Sequence, residues 1–65
     1  MVTIHMEPHK STLTFQRINT VLQLLGKLNL RVNDALIVRG DELLTPDRRI
    51  HPGDTITVRL VMSRG

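Results

Sequence analysis

The stretch that decides the fold is PGDTITVRLVM at residues 52–62, which reads as a turn followed by a strand. Its side chains alternate in character: Ile56, Val58, Leu60 and Met62 are separated by Thr57, Arg59 and Val61. A period of two is typical of a strand with one buried face and one face toward solvent or a partner. Ser63, Arg64 and Gly65 follow the strand. We therefore expect a core strand that holds a terminal carboxylate on a short tail.

Outward from this strand, the beginning of the chain predicts a hairpin. Residues 2–6 alternate between apolar and polar side chains, which favours a strand. Pro8 breaks the pattern, because proline lacks the backbone donor that a strand needs. The alternation resumes at residues 12–15, where we expect Leu13 and Phe15 to point inward.

The middle of the chain predicts one helix. Thr20 and Gln23 have the spacing of a capping box, in which each side chain bonds to the backbone N–H of the other residue. One apolar stripe follows at helical spacing: Val21, Leu24, Leu25 and Leu28. We expect Gly26 to let the helix approach the sheet closely. Asn29 is suited to end the helix in the left-handed conformation, with Leu30 folded back beneath it.

The remaining apolar residues predict two more strands and complete the fold. Residues 35–39 form a continuous apolar run, typical of a strand covered on at least one face, and residues 42–44 form a shorter strand. We expect Ile50 to fill the core from a loop. A single helix covers only one face of a sheet, so the other face stays open. We predict one α+β domain over residues 1–65 with a tail at 63–65, namely a β-grasp (ubiquitin-like) fold in which a mixed four- to five-stranded sheet packs on one helix.

Length and composition exclude several classes of protein. A chain of 65 residues buries only about 60% of the surface that its unfolded form exposes, which leaves no room for a deep substrate cavity beside the core. We therefore expect no enzyme activity from the chain alone. It has no cysteine, and no apolar run approaches the roughly 20 residues of a membrane span. These features favour a cytoplasmic protein without a membrane partner.

Four segments, taken in order, resemble a known family: TVLQLL at 20–25, LNL at 28–30, ALIVRGDELLT at 35–45 and PGDTI at 52–56. They are similar to the small sulfur-carrier proteins of the ThiS and MoaD groups, which serve thiamine and molybdopterin synthesis. The segment at 38–45 most resembles the ThiS-like carrier that supplies sulfur for 2-thiouridine in thermophile transfer RNA (tRNA thiolation). The resemblance covers nearly the whole chain.

The resemblance implies a chemistry at the end of the chain. In such carriers an E1-like adenylating enzyme uses ATP to activate the terminal carboxylate, and sulfur then replaces AMP to leave a thiocarboxylate. By this resemblance Gly65 carries the reactive carboxylate, and we expect the partner-binding residues to be Arg59, Val61, Ser63 and Arg64. A sulfurtransferase or thiolase enzyme accepts the sulfur, and the carrier itself binds no cofactor. The family's tail ends in Gly-Gly, whereas Arg64 stands here in the place of the first glycine.

Two other functions stay open from the residues. A ubiquitin-like module without carrier activity would bind a protein through the open sheet face. A small RNA-binding module similar to the S4 domain would share the turn and strand at 52–56, but it would begin with helices rather than strands over residues 2–15. Phe15 is the only aromatic residue, so base stacking has almost no platform and we expect no direct nucleic-acid partner.

The histidines do not predict a metal site. His5, His9 and His51 are far apart in the sequence and lack ligand spacing, so we expect surface histidines and no metal. Asp41 and Glu42 are adjacent carboxylates that a turn beside a short strand explains. They have no neighbouring histidine or nucleophile to complete an acid–base site.

Overall fold

The computed structural model describes residues 1–7 and 10–61, which form an α+β domain with five strands and one α-helix. The strands are β1 (Val2–Glu7), β2 (Ser11–Phe15), β3 (Ala35–Arg39), β4 (Glu42–Leu44) and β5 (Thr55–Leu60). The helix α1 spans Val21–Lys27, and a 3₁₀ turn spans Val32–Asp34. Each strand predicted from the sequence is present close to its expected bounds, and so is the helix.

The strands form one mixed sheet in the order β2-β1-β5-β3-β4. β1 pairs antiparallel with β2, as the predicted hairpin requires, and parallel with β5. β3 pairs antiparallel with both β5 and β4. The last strand therefore lies in the middle of the sheet, and its predicted alternation is confirmed: Ile56 and Val58 are fully buried, whereas Arg59 is exposed. Met62 lies outside the described residues.

The helix begins with a side-chain cap, as its sequence predicts. The Thr20 hydroxyl accepts a hydrogen bond from the Gln23 N–H at 3.2 Å. The Gln23 side chain does not return to Thr20, so that half of the capping-box prediction is wrong. Its oxygen accepts from the N–H of Asn19 at 2.8 Å instead. The chain entering the helix is extended, and the Ile50 N–H donates to the Asn19 carbonyl at 2.9 Å.

The helix ends as predicted, but its glycine has another environment than expected. Asn29 is left-handed with φ of 59°, and the Leu30 N–H donates to the Leu25 carbonyl at 2.9 Å, which closes a Schellman motif. Gly26 lies on the exposed side, and a Cβ atom placed there would meet nothing within 4 Å. The prediction that Gly26 permits a close approach to the sheet is therefore wrong.

One apolar core fills the space between the helix and one face of the sheet. In the described part of the chain its twelve buried residues come from the helix, the strands and two loop positions: Val2, Ile4, Ile18, Val21, Leu24, Leu25, Ala35, Ile37, Leu44, Ile50, Ile56 and Val58. Ile50 fills the core from a loop, as predicted, and Phe15 packs partly against it. Leu13 lies opposite the buried Ile4 and so points to the same face, but it remains 38% exposed because β2 is at the edge of the sheet.

The opposite face of the sheet carries no helix among the described residues, and we call it the outer face. One row crosses all five strands there: Thr12, His5, Thr57, Val38 and Leu43. A second row joins Glu7, Arg59 and Leu36. Within residues 1–7 and 10–61, no helix is long and apolar enough to cross a membrane.

Candidate functional site

The outer face changes in character from one side of the sheet to the other. On β1 and β2 its side chains are polar, as in the pair Thr3 and Thr14. On β3 and β4 they are aliphatic: Leu36 is 43% exposed and Leu43 is 60% exposed. Exposed aliphatic side chains that lie together on a face rimmed by polar residues mark a surface suited to a protein partner.

Arg59 lies between these two halves, on the central strand. Its cross-strand neighbours are Glu7 and Leu36, and its Nε donates to Glu7 Oε1 at 3.2 Å. The Arg59 side chain is 66% exposed. Because water screens an ion pair of this kind, the pair adds little to stability. The guanidinium can therefore exchange Glu7 for a carboxylate of a partner.

Val61 marks the point where the described chain leaves the sheet. Its N–H donates to the Asp34 carbonyl at 2.9 Å, which ties it to the 3₁₀ turn. The side chain of Asp34 in turn accepts from the Arg31 N–H at 2.9 Å and closes that turn. Val61 and Val32 are both exposed here. The chain thus leaves the sheet next to the aliphatic half of the outer face.

A small apolar cavity opens beside this exit. It lies between the helix and the β3–β4 edge, has a volume of about 160 Å³, and is lined by Val21, Leu25, Val32, Leu36, Leu43 and Pro46, among others. Cavities that bind small molecules usually have about 300–1,000 Å³. This one is therefore suited to a single apolar side chain of a docking protein.

A second depression follows the exposed side of the helix. It is open to solvent, has a volume of about 450 Å³, and is lined by polar and charged residues that include Arg17, Gln23 and Lys27. Its lining contains no acidic side chain, histidine or serine. Lys27 is the one side chain of this lining that could act as a nucleophile or base, and no acid or histidine in the lining is placed to activate it.

A cluster of charged side chains fixes the turn before the central strand. Arg39 Nη1 donates to Asp54 Oδ2 at 3.0 Å and to the Arg49 carbonyl at 3.2 Å. Glu42 accepts from Arg39 Nη2 at 3.4 Å and from Arg48 Nη2 at 2.8 Å. The cluster joins the β3–β4 turn to the loop that leads into β5, so its role is structural.

The hydrogen bonds of this cluster change two pKa values. The N–H of His51 donates to Asp54 Oδ2 at 2.8 Å and, together with Arg39, holds the pKa of Asp54 below its usual range. The bond to Asp54 is also the largest cause that raises the pKa of Arg39. Both groups therefore stay charged at neutral pH, and neither is suited to transfer protons there.

The structure brings two of the predicted site residues together with residues that the sequence did not single out. Arg59 and Val61 lie on or beside the outer face, while Ser63, Arg64 and Gly65 lie outside the described residues. The exposed Leu36 was missed, because residues 35–39 were interpreted only as one apolar run. The signal was available, since alternate positions of a strand in a two-layer domain point away from the helix.

The histidines take surface positions in the described part of the chain. His5 Nδ1 lies 3.2 Å from the Thr12 hydroxyl, and His51 is exposed in a turn. His9 lies outside the described residues. Among residues 1–7 and 10–61, no group of three or more metal-ligating side chains comes together.

No family model matches the chain, and no curated protein sequence is significantly similar to it.

Proposed function

We propose that this chain is a β-grasp sulfur carrier of the ThiS and MoaD type, which is activated at the carboxylate of Gly65. The observation that supports this best is the place of the last strand. β5 is paired on both sides, by β1 and β3, and ends at Leu60, so the tail starts from the central strand of the sheet. The strand order β2-β1-β5-β3-β4 and a helix between β2 and β3 support the β-grasp assignment.

The proposed chemistry converts a stable carboxylate into a sulfur donor. A Gly65 carboxylate oxygen attacks the α-phosphorus of ATP in an activating enzyme, and pyrophosphate leaves. Hydrosulfide from a donor then attacks the acyl carbon, and AMP leaves with the electron pair of the broken C–O bond. The product is a thiocarboxylate that a sulfurtransferase or thiolase can use. Both steps take place in the partner's active site, and this chain supplies the reacting group and the docking surface.

The outer face supplies that docking surface. The exposed Leu36 and Leu43 offer aliphatic contacts, and the adjoining cavity admits one apolar side chain. Arg59 adds a guanidinium whose ion pair within the described residues is with the half-exposed Glu7. Because Val61 leaves the sheet beside these groups, a partner that binds them also lies close to the start of the tail.

The sequence of the tail limits which activating enzymes can accept this chain. Gly65 has no side chain, so its carboxylate can approach a buried nucleotide closely. Arg64 is long and charged, and it replaces the first glycine of the family's usual ending. The proposal therefore requires an activating enzyme whose channel widens at this position or carries an acidic group for Arg64.

Mass spectrometry tests the proposal directly. The chain is incubated with candidate E1-like enzymes, ATP and sulfide, and its intact mass is measured. We expect a gain equal to the replacement of one oxygen by sulfur, located on Gly65 by fragmentation. A chain that lacks Gly65 is the matched control and should gain nothing. If the full chain stays unmodified with an enzyme that it demonstrably binds, carrier activity is refuted.

The outer face also favours a second function, that of a ubiquitin-like module that binds a protein and carries no sulfur. The exposed Leu36 and Leu43 would serve this role whatever the tail does. Deleting residues 64–65 separates the two functions, because a carrier loses its activity and a module keeps its partner. An S4-like RNA-binding module would need helices over residues 2–15, where the described chain has β1 and β2.

A further inference from the structure

Within residues 1–7 and 10–61, no strand pairs with the outer edge of β2, and the side chains of β2 are neutral. The edge strand β2 has the sequence STLTF, with four of its five residues exposed and no charge or proline. Proteins usually protect an edge strand with charges, proline or a very short length, because unpaired backbone groups invite a further strand. The opposite edge, β4, has such protection: it is three residues long, and its Glu42 is charged and paired with Arg48.

From this edge we infer that the chain forms a twofold dimer by antiparallel pairing of β2 with β2 of a second copy. The strand is self-complementary about Leu13. A twofold axis there places Leu13 opposite Leu13, Thr12 opposite Thr14, and Ser11 opposite Phe15 of the second copy. A twofold axis must match each surface patch with itself, and this strand satisfies that condition.

The side chains on both faces of the joined strands agree with this register. On the helix side, Leu13 continues the apolar row of Ile4 and Ile56, and it is exposed only for lack of a further strand. Pairing extends that row from one copy into the other. On the outer face, Thr12 meets Thr14, and threonine pairs across antiparallel strands are favourable.

The charges permit a second copy of this chain as the occupant. Each chain has a net charge of +3, but the neutral contact strand adds no like-charge pair at the interface. The register places Lys10 of one copy opposite the uncharged Gln16 of the other, so no lysine faces a lysine. Because the paired strands carry no charge, salt should change the affinity little.

The size of the contact sets the expected affinity. Pairing of two five-residue strands buries less than the roughly 1,000 Å² of a lasting interface, so we expect a dissociation constant on the order of 100 µM. The contact uses neither Arg59 nor Val61. The dimer is therefore independent of the proposed carrier function and leaves the outer-face docking residues free.

Charge substitutions at the twofold axis test the inference. Sedimentation of the unaltered chain should show a monomer–dimer equilibrium, whereas Leu13→Lys and Leu13→Glu should each weaken it by about tenfold or more, because like charges then lie opposite each other. An equimolar mixture of the two variants should restore the dimer. Leu43→Lys, at the other edge, is the control and should dimerise as the unaltered chain does.

Amide exchange of the unaltered chain gives a second readout that needs no variant. Exchange in β2 should slow as the protein concentration rises, while exchange in β4 should stay constant. A chain that stays monomeric up to about 1 mM overturns the inference, since the expected affinity lies within that range. So does dimerisation that survives both Leu13 variants, a mixture of variants that stays monomeric, or pairing of β2 only with a foreign peptide.

Discussion

The guanidinium of Arg39 donates to Asp54 Oδ2 at 3.0 Å and so joins the end of β3 to the turn before β5. The same oxygen accepts the N–H of His51 at 2.8 Å. One carboxylate thus closes its own turn and anchors a neighbouring strand. Because β5 follows immediately, this contact helps to set where the central strand begins.

Replacing Asp54 should therefore destabilise the domain. We expect Asp54→Ala to lower the free energy of unfolding by about 1–2 kcal/mol, because the His51 N–H loses its acceptor. Urea denaturation followed by circular dichroism measures the change. Asp41→Ala removes an exposed acid from the neighbouring turn and should change stability by less than about 0.5 kcal/mol. Equal losses in the two variants would show that the Asp54 contacts are not important.

Asp54 should also make stability depend on pH. Its pKa is lowered on folding, first by the His51 N–H and then by Arg39. Its contribution is therefore complete above the unfolded pKa of about 3.9, and is lost as the pH falls through the lower folded pKa. When the urea midpoint of unfolding is measured at successively lower pH, it should stay constant down to about pH 4 and decrease below that pH. Asp54→Asn should flatten that fall, and an unchanged pH profile would contradict the assignment.

Gly26 offers a substitution that should stabilise the protein. It is exposed within α1, and a Cβ atom there meets nothing within 4 Å, so Gly26→Ala should raise the free energy of unfolding by about 1 kcal/mol. Gly40→Ala is the matched contrast. Gly40 has φ of 63°, a conformation that alanine adopts only with strain, so this change should destabilise the domain. Thermal melts of both variants would give opposite shifts if the argument holds.

The docking surface can be tested apart from the chemistry. Leu36→Glu places a charge among the aliphatic side chains of the outer face, and should weaken binding to an activating enzyme by about tenfold or more. Leu22→Glu changes a leucine on the helix that is more exposed than Leu36, and this variant should bind normally. Calorimetric titration measures both variants. If Leu36→Glu binds normally, the activating enzyme binds a different surface of the chain.

Arg64 can be tested through the rate of activation. Arg64→Gly restores the family's Gly-Gly ending, and with an enzyme built for that ending it should raise ATP–pyrophosphate exchange by about tenfold or more, because the carboxylate then reaches the nucleotide unhindered. Arg17→Gly removes an arginine from a loop far along the sequence and should leave the rate unchanged. A lower rate for Arg64→Gly would indicate that the partner recognises Arg64 itself.

Local features of this fold were predicted well from the sequence, and contacts between distant segments were not. The threonine cap of α1, its left-handed end at Asn29 and the alternation of β5 each depend on neighbouring residues, and all are confirmed. The exposure of Leu13 and Gly26 depends on which elements cover them. A hydrophobic pattern does not carry that information. Leu13 points to the helix side as predicted but stays partly exposed at the sheet edge, and the close approach predicted for Gly26 is wrong.

The sequence by itself determined the order of strands and helix, the buried face of the last strand and the apolar composition of the core, because backbone geometry and side-chain period act over a few residues. Only the tertiary structure decided that β5 lies between β1 and β3, that Leu36 faces outward, and that β2 keeps an open edge. These outcomes depend on which segments meet across the chain. That choice is made by burying the largest apolar surface against a single helix, and no local pattern specifies it.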